Sequence, residues 1–180
     1  MTPRIGLWTA FAALALGSLA SAQQPDQTKF LTDAMRSDVA EMKLGDLAQQ
    51  RGHGKEVREY GQTLNRDHSK SLLKATQLAK SIGVAVPTEP SAQAQKEYES
   101  LAKLSGDEFD STFLSQMARG HQEAIAKFSA QAQAGGGSEV AEFANDTLPT
   151  LRAHLEHAQS IQAELTSDAR SGANGGSEPR

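Results

Sequence analysis

The chain has 180 residues, 18 basic against 22 acidic side chains and a formal charge of −4, with five histidines and no cysteine. No basic cluster runs along it, which argues against nucleic acid and against electrostatic binding to anionic lipid. The lack of cysteine removes both a disulfide framework and thiolate ligands, so the fold must rest on an apolar core.

The N-terminus reads Met1-Thr2-Pro3-Arg4, runs apolar from Ile5 to Leu16 and closes on Ala20-Ser21-Ala22. A positive start, a short apolar run and an A-x-A site predict a secretory signal peptide over 1–22, cut between Ala22 and Gln23. The expected location is therefore the periplasm or the medium. The apolar run falls short of the roughly 20 residues that span a bilayer, and no cysteine follows it to carry a lipid anchor. Residues 23–27 read as a lead-in, 28–166 as one domain and 167–180, rich in Ser, Gly and Asn, as a disordered tail. No second apolar segment occurs, so the mature chain has no expected membrane segment.

Four long segments carry apolar residues at helical spacing, and strand-type alternation is absent. The first runs from about Thr28 to Arg51, with Phe30, Ala34, Leu44 and Ala48 on one face, and stops at Gly52-His53-Gly54. The second runs from about Lys55 to Ile82, aligning Val57, Leu64, Leu72, Ala75 and Ala79, with Gly83 ending it and Pro87 and Pro90 forbidding its continuation. A long connection follows, holding a short helical piece, Ser91 to Leu104, with Tyr98, Leu101, Ala102 and Leu104 inward. Ser105 and Glu108 fit a capping box for the third long helix, which carries Phe109, Phe113, Met117, Ile125 and Phe128 as far as Ala134. Gly135-Gly136-Gly137 breaks the chain, and Ser138 caps a fourth helix to about Leu165, with Pro149 expected to kink it. Short loops make each pair antiparallel. The long middle connection points to a crossover, so the reading is an all-α, four-helix ferritin-like bundle.

One glutamate and three histidines fall on these apolar stripes. At about 100° per residue, Glu41 lies about 20° from Phe30, Ala34 and Ala48, and His68 about 20° from Val57. His121 lies about 20° from Phe128, and His154 about 20° from Phe143. Each stands near the middle of its own helix, so four helices would bring one carboxylate and three imidazoles to one level. Such groups seldom sit unpaired in a core. The set Glu41, His68, His121 and His154 suits one first-row transition ion, zinc, copper or iron, ahead of calcium or magnesium. A metal-free hydrogen-bond network of the same residues is the alternative. A di-iron centre is not expected, because Asn65, Ala118 and Leu151 occupy the positions three before the histidines where its Glu-x-x-His pairs need carboxylates. His53 reads as an exposed turn and His157 as solvated, with flanking the site as its alternative. Asp67 reads as a surface charge beside His68, with orienting a neighbouring ligand as its alternative. Asp110 reads as a structural cap or tie of the long connection to the third long helix. No Ser–His–Asp triad, phosphate loop or dinucleotide fingerprint occurs, so no catalytic residue is assigned.

These residues also carry a resemblance. The run Asp38-Val39-Ala40-Glu41-Met42-Lys43-Leu44-Gly45-Asp46-Leu47-Ala48 resembles the first helix of a ferritin-like bacterial family, domain of unknown function 4142, whose members are often labelled outer membrane proteins. Asp67-His68-Ser69-Lys70, Gly106 with Phe109-Asp110, His121-Gln122, and Leu148-Pro149 followed by His154-Leu155 are similar to its other blocks, in order, over about 28–165. The resemblance implies a four-helix ferritin-like fold, an envelope location and recurrent positions at Glu41, His68, His121 and His154. It also implies an aromatic residue, often Tyr, where Phe113 stands, so a hydroxyl is missing here. Amphipathic helices do not build an outer-membrane barrel, and the family name supplies no activity. Three roles stay open: a metal-handling or metal-sensing bundle, a non-catalytic structural or stress-related interaction module, and, least supported, an oxidoreductase. Partner and oligomeric state are not legible.

Overall fold

A computed structural model describes residues 23–134 and 136–174, with side chains from 27 to 134 and from 136 to 167. The described residues form α1 (Gln23–Arg51), α2 (Lys55–Ser81), α3 (Ala92–Leu101), α4 (Gly106–Ala134) and α5 (Glu139–Asn174), with no strand among them. No described helix is long and apolar enough to cross a membrane. The expected leader, residues 1–22, lies outside the described residues.

Three boundaries differ from expectation, one of them small: the short helix on the long connection ends at Leu101 and not at Leu104. α1 begins at Gln23, taking in the expected lead-in, with Pro25 in the first turn, where backbone amides have no intrahelical acceptor. α5 continues to Asn174, past the end expected near Leu165, so 167–174 of the expected tail is helical and 175–180 lies outside the described residues. Ala-Arg-rich 169–170 offers no breaker, and Gly172 alone costs a helix only about 1 kcal/mol. Pro149 sits inside α5 without ending it.

The helix ends follow local chemistry. Ser91 accepts from the Ala94 amide to start α3, and Ser138 accepts from the Ala141 amide to start α5. α2 closes in a Schellman arrangement: Val84 N–H bonds the Ala79 carbonyl at 2.7 Å and Gly83 N–H the Lys80 carbonyl at 3.4 Å. Gly83 has φ +74°, the left-handed conformation this stop requires.

α1 and α2 form one tight hairpin, and α4 and α5 another. A Cβ built on Gly61 would lie 2.7 Å from the Gly45 carbonyl oxygen, and one on Gly45 2.6 Å from the Gly61 oxygen. The two backbones therefore touch where only glycine fits. Between the hairpins, α1 packs against α4 and α5 against α2. One end of the bundle holds Leu44, Leu47, Ala48, Val57, Leu64 and Leu101 with Phe109, Phe113 and Ile161. The other holds Leu31, Met35, Ala75, Ala79 and Phe143, with Phe128 against them. These memberships make α2 and α4 run in the same direction, so the connection 82–105 crosses the length of the bundle, as expected. α3 lies on it and buries Leu101, with Tyr98, Ala102 and Leu104 packed around the same cluster.

Candidate metal centre

The two apolar clusters are separated by a polar layer. In α1 it falls between Met35 and Leu44, in α2 between Leu64 and Ala75, in α4 beyond Met117, and in α5 before Ala158. Buried polar side chains in this interval are Asp38, His68, His121 and His154, and the last three come from α2, α4 and α5. Ligand nitrogens of His68, His121 and His154 all lie within 4.8 Å of one another, so three buried histidines could hold a metal ion. Their ring centroids are 5.2 to 5.8 Å apart.

Each imidazole is tied at one nitrogen. His68 Nδ1 lies 2.8 Å from Asp38 Oδ1, His121 Nδ1 donates to the Met117 carbonyl at 2.9 Å, and His154 Nε2 lies 3.2 Å from Asp67 Oδ2. His68 Nε2 is buried with no hydrogen-bonding partner among the described residues, as is Asp38 Oδ2. His121 Nε2 and His154 Nδ1 face each other at 3.2 Å. Tyr60 donates from its hydroxyl to the His154 carbonyl at 3.0 Å, which steadies α5 at this level.

Electrostatics follow from burial. Desolvation pushes His68 down to about 4, with the charge of Glu41 opposing and that of His121 adding. His154 is also held at about 4, by desolvation first and then by the two neighbouring imidazoles. Desolvation raises the Asp38 carboxyl to about 8, Ser71 tempering the shift. Asp67 goes the other way, to about 2, because Arg66 hydrogen-bonds it and His154 adds to that.

With both His121 and His154 in the neutral form, a proton count fails to close. The Met117 carbonyl only accepts, so His121 Nδ1 carries the proton and the neutral ring has a lone pair on Nε2. A neutral His154 has one proton for two neighbours that both accept: the Asp67 carboxylate and His121 Nε2. Whichever nitrogen bears it, one contact places two lone pairs face to face.

Of the four residues expected at the centre, the three histidines are brought together and Glu41 stands outside their set. Glu41 is half-buried; its Oε2 is buried and unpaired among the described residues, and its Oε1 lies 3.9 Å from a Cβ built on Gly120, next to His121. Asp38, not Glu41, is the α1 carboxylate that bonds a histidine. The reason is the anchor of the stripe: Leu31 and Met35 are fully buried while Phe30 is only half-buried, and Asp38 lies about 20° from Leu31. Asp67 is not a mere surface charge, since it bonds His154 across the α2–α5 seam. Tyr60 was also missed, although it stands three residues after Val57 and four before Leu64, on their stripe. His53 and His157 are exposed as expected, His157 resting edge-on to Tyr60. Asp110 is structural as expected but ties a different segment: it accepts from the His53 and Gly54 amides and anchors the α1–α2 turn, not the long connection, to α4.

With this layout in hand, one comparison decides the family: a family model matches residues 14–161. The chain belongs to the family Domain of unknown function (DUF4142). This DUF4142 chain is similar in fold to the crystal structure of a DUF305 fragment from Deinococcus radiodurans, with a TM-score of 0.69 and 17% identity over 78% of this chain and 97% of that one. Comparison with curated proteins gives no significant match. At that identity the neighbour shows the fold alone.

Proposed function

We propose that this bundle binds one divalent first-row transition ion through Nε2 of His68, Nε2 of His121 and Nδ1 of His154. The observation that carries the reading is the 3.2 Å approach of His121 Nε2 to His154 Nδ1, which leaves two lone pairs face to face when both rings are neutral and His154 donates to Asp67. A cation relieves that repulsion. Two nitrogens bound at about 2.0–2.1 Å to a tetrahedral zinc ion stand roughly 3.3 Å apart, close to the spacing here. The outer nitrogens face Asp38, the Met117 carbonyl and Asp67, the outer-sphere pattern that orients metal-binding imidazoles elsewhere. Nitrogen ligands suit zinc, copper or iron. Glu41 is the nearby carboxylate available to complete the sphere, and its unpaired Oε2 supports that part.

The same contacts are also satisfied by one extra proton on either His121 or His154, a metal-free network serving the fold alone. Burial, which holds the His154 ring at about 4, disfavours that proton on His154 near neutral pH. The role assigned is that of holding or sensing an ion, in the periplasm or outside the cell. The leader pattern in residues 1–22 supports that location. Elemental analysis of protein purified from its native compartment should find close to one equivalent of metal, lost in His121→Ala. A metal-free protein whose melting temperature ignores added zinc, copper and iron would remove this reading.

A further inference from the structure

We infer that Asp67 is a positioning residue that fixes the His154 tautomer and so determines that Nδ1, not Nε2, is offered to the ion. The inference rests on the metal reading above and extends it to a residue outside the ligand set.

Asp67 sits between His154 and the surface, on the seam between α2 and α5, with a side chain 20% exposed. Arg66 grips it with two bonds, Nε to Oδ1 at 2.9 Å and a terminal nitrogen to Oδ2 at 3.2 Å, and the Lys70 ammonium stands 3.6 Å from Oδ1. Two cations keep the group an ionised carboxylate, which can only accept. Its Oδ2 therefore demands a proton on His154 Nε2, 3.2 Å away. A neutral imidazole with its proton on Nε2 presents a bare Nδ1, and that is the atom facing His121 Nε2. Asp67 lies next in sequence to His68, so one turn of α2 supplies a ligand to the site and the group that orients a second ligand across the seam.

Asp67→Asn separates this role from simple packing. An amide has one acceptor where the carboxylate had two. Arg66 Nε, with the shorter bond, and Lys70 both face the Oδ1 place, so the oxygen settles there and the amide N–H₂ takes the Oδ2 place towards His154 Nε2. His154 then carries its proton on Nδ1 and donates it to His121 Nε2. Every contact in the cluster closes without metal, and a ligand lone pair is lost.

The experiment uses ¹⁵N-labelled full mature chain, metal-free, with imidazole ¹⁵N shifts reporting tautomers and zinc titration reporting affinity. Expected are an Nε2–H His154 in the native protein, an Nδ1–H His154 in Asp67→Asn, and zinc affinity about 10–100-fold weaker in the variant. Adding Arg66→Ala to Asp67→Asn frees the amide to turn its oxygen inward, which should restore the native tautomer and part of the zinc affinity. An unchanged His154 tautomer in Asp67→Asn overturns the inference, whatever zinc does. Weak zinc binding by the double variant equal to that of Asp67→Asn, with the Nδ1–H tautomer persisting, also counts against it. If the native protein takes up no zinc, the metal reading fails alone, because the metal-free spectra still decide what Asp67 does.

Discussion

Asp110 and Asp38 show how differently two buried carboxylates behave. Asp110, 1% exposed, accepts from the amides of His53 at 3.0 Å and Gly54 at 2.7 Å. Asp110→Ala leaves both amides without this acceptor, at about 1–3 kcal/mol for each group that stays unsatisfied. Urea melts should therefore show a loss of about 2–4 kcal/mol, and Asp110→Asn a smaller one. Asp38 has one bonded oxygen and one unpaired, and burial favours its neutral form. The signs for metal-free protein follow from proton binding. His68 and His154, held at about 4 against 6.5, bind fewer protons folded than unfolded, so stability falls as pH drops from about 6.5 towards 4. Asp38, at about 8 against 3.8, binds more protons folded, so its contribution is full at low pH and is lost as pH rises towards 8. Two groups oppose one below about 6.5 and only Asp38 acts above it, which places a stability maximum near pH 6–7. Asp38→Asn should abolish the alkaline decline while keeping the acid one, as read from chemical denaturation across pH.

At the scale of elements, the first hairpin depends on one close approach, and the exit from it on a glycine stop. Gly61→Ala puts a methyl group 2.7 Å from the Gly45 oxygen and 2.8 Å from the Ala48 Cβ. α1 and α2 would have to part, at a cost of about 1–3 kcal/mol or more. Gly83→Ala meets nothing within 4 Å and bears only its φ of +74°, a cost of about 1–2 kcal/mol. Comparing the two in urea separates packing from backbone strain. Gly61→Ala should also weaken zinc uptake, because it shifts the helix carrying His68. Gly83→Ala should leave uptake unchanged. Much of this level is legible beforehand: the helix starts at Ser91 and Ser138, the stop at Gly83 and the inward face of the short crossover helix all follow from local rules. The glycine contact is not, since no spacing rule says which glycines of two helices will meet.

For the whole molecule, the polar layer joins two hairpins that are each well packed within themselves. His68 belongs to the first hairpin and His121 and His154 to the second, so an ion held by all three links them. Zinc at about 100 times its dissociation constant should stabilise the fold by about 2.7 kcal/mol, and a chelator should reverse it. Amide hydrogen exchange should slow in α2 and α5 alike on zinc binding, and His154→Ala should lose that response in both. Slowing confined to one hairpin would show that the ion does not bridge them.

Read alone, the sequence determines the helices, their antiparallel pairing, the crossover and the level at which His68, His121 and His154 meet. Those follow from periodicity, capping residues, loop lengths and the rise per residue, all properties of the chain itself. Tertiary structure decided which α1 carboxylate bonds a histidine, because the buried stripe is set by which helix faces α1: Asp38 meets His68, while Glu41 buries one oxygen beside α4. It also decided what lies behind each imidazole: Asp38, the Met117 carbonyl and Asp67. Two of those three contacts cross between helices, and hydrogen-bond partners across a helix seam depend on side-chain direction and depth together, which a one-dimensional period does not carry.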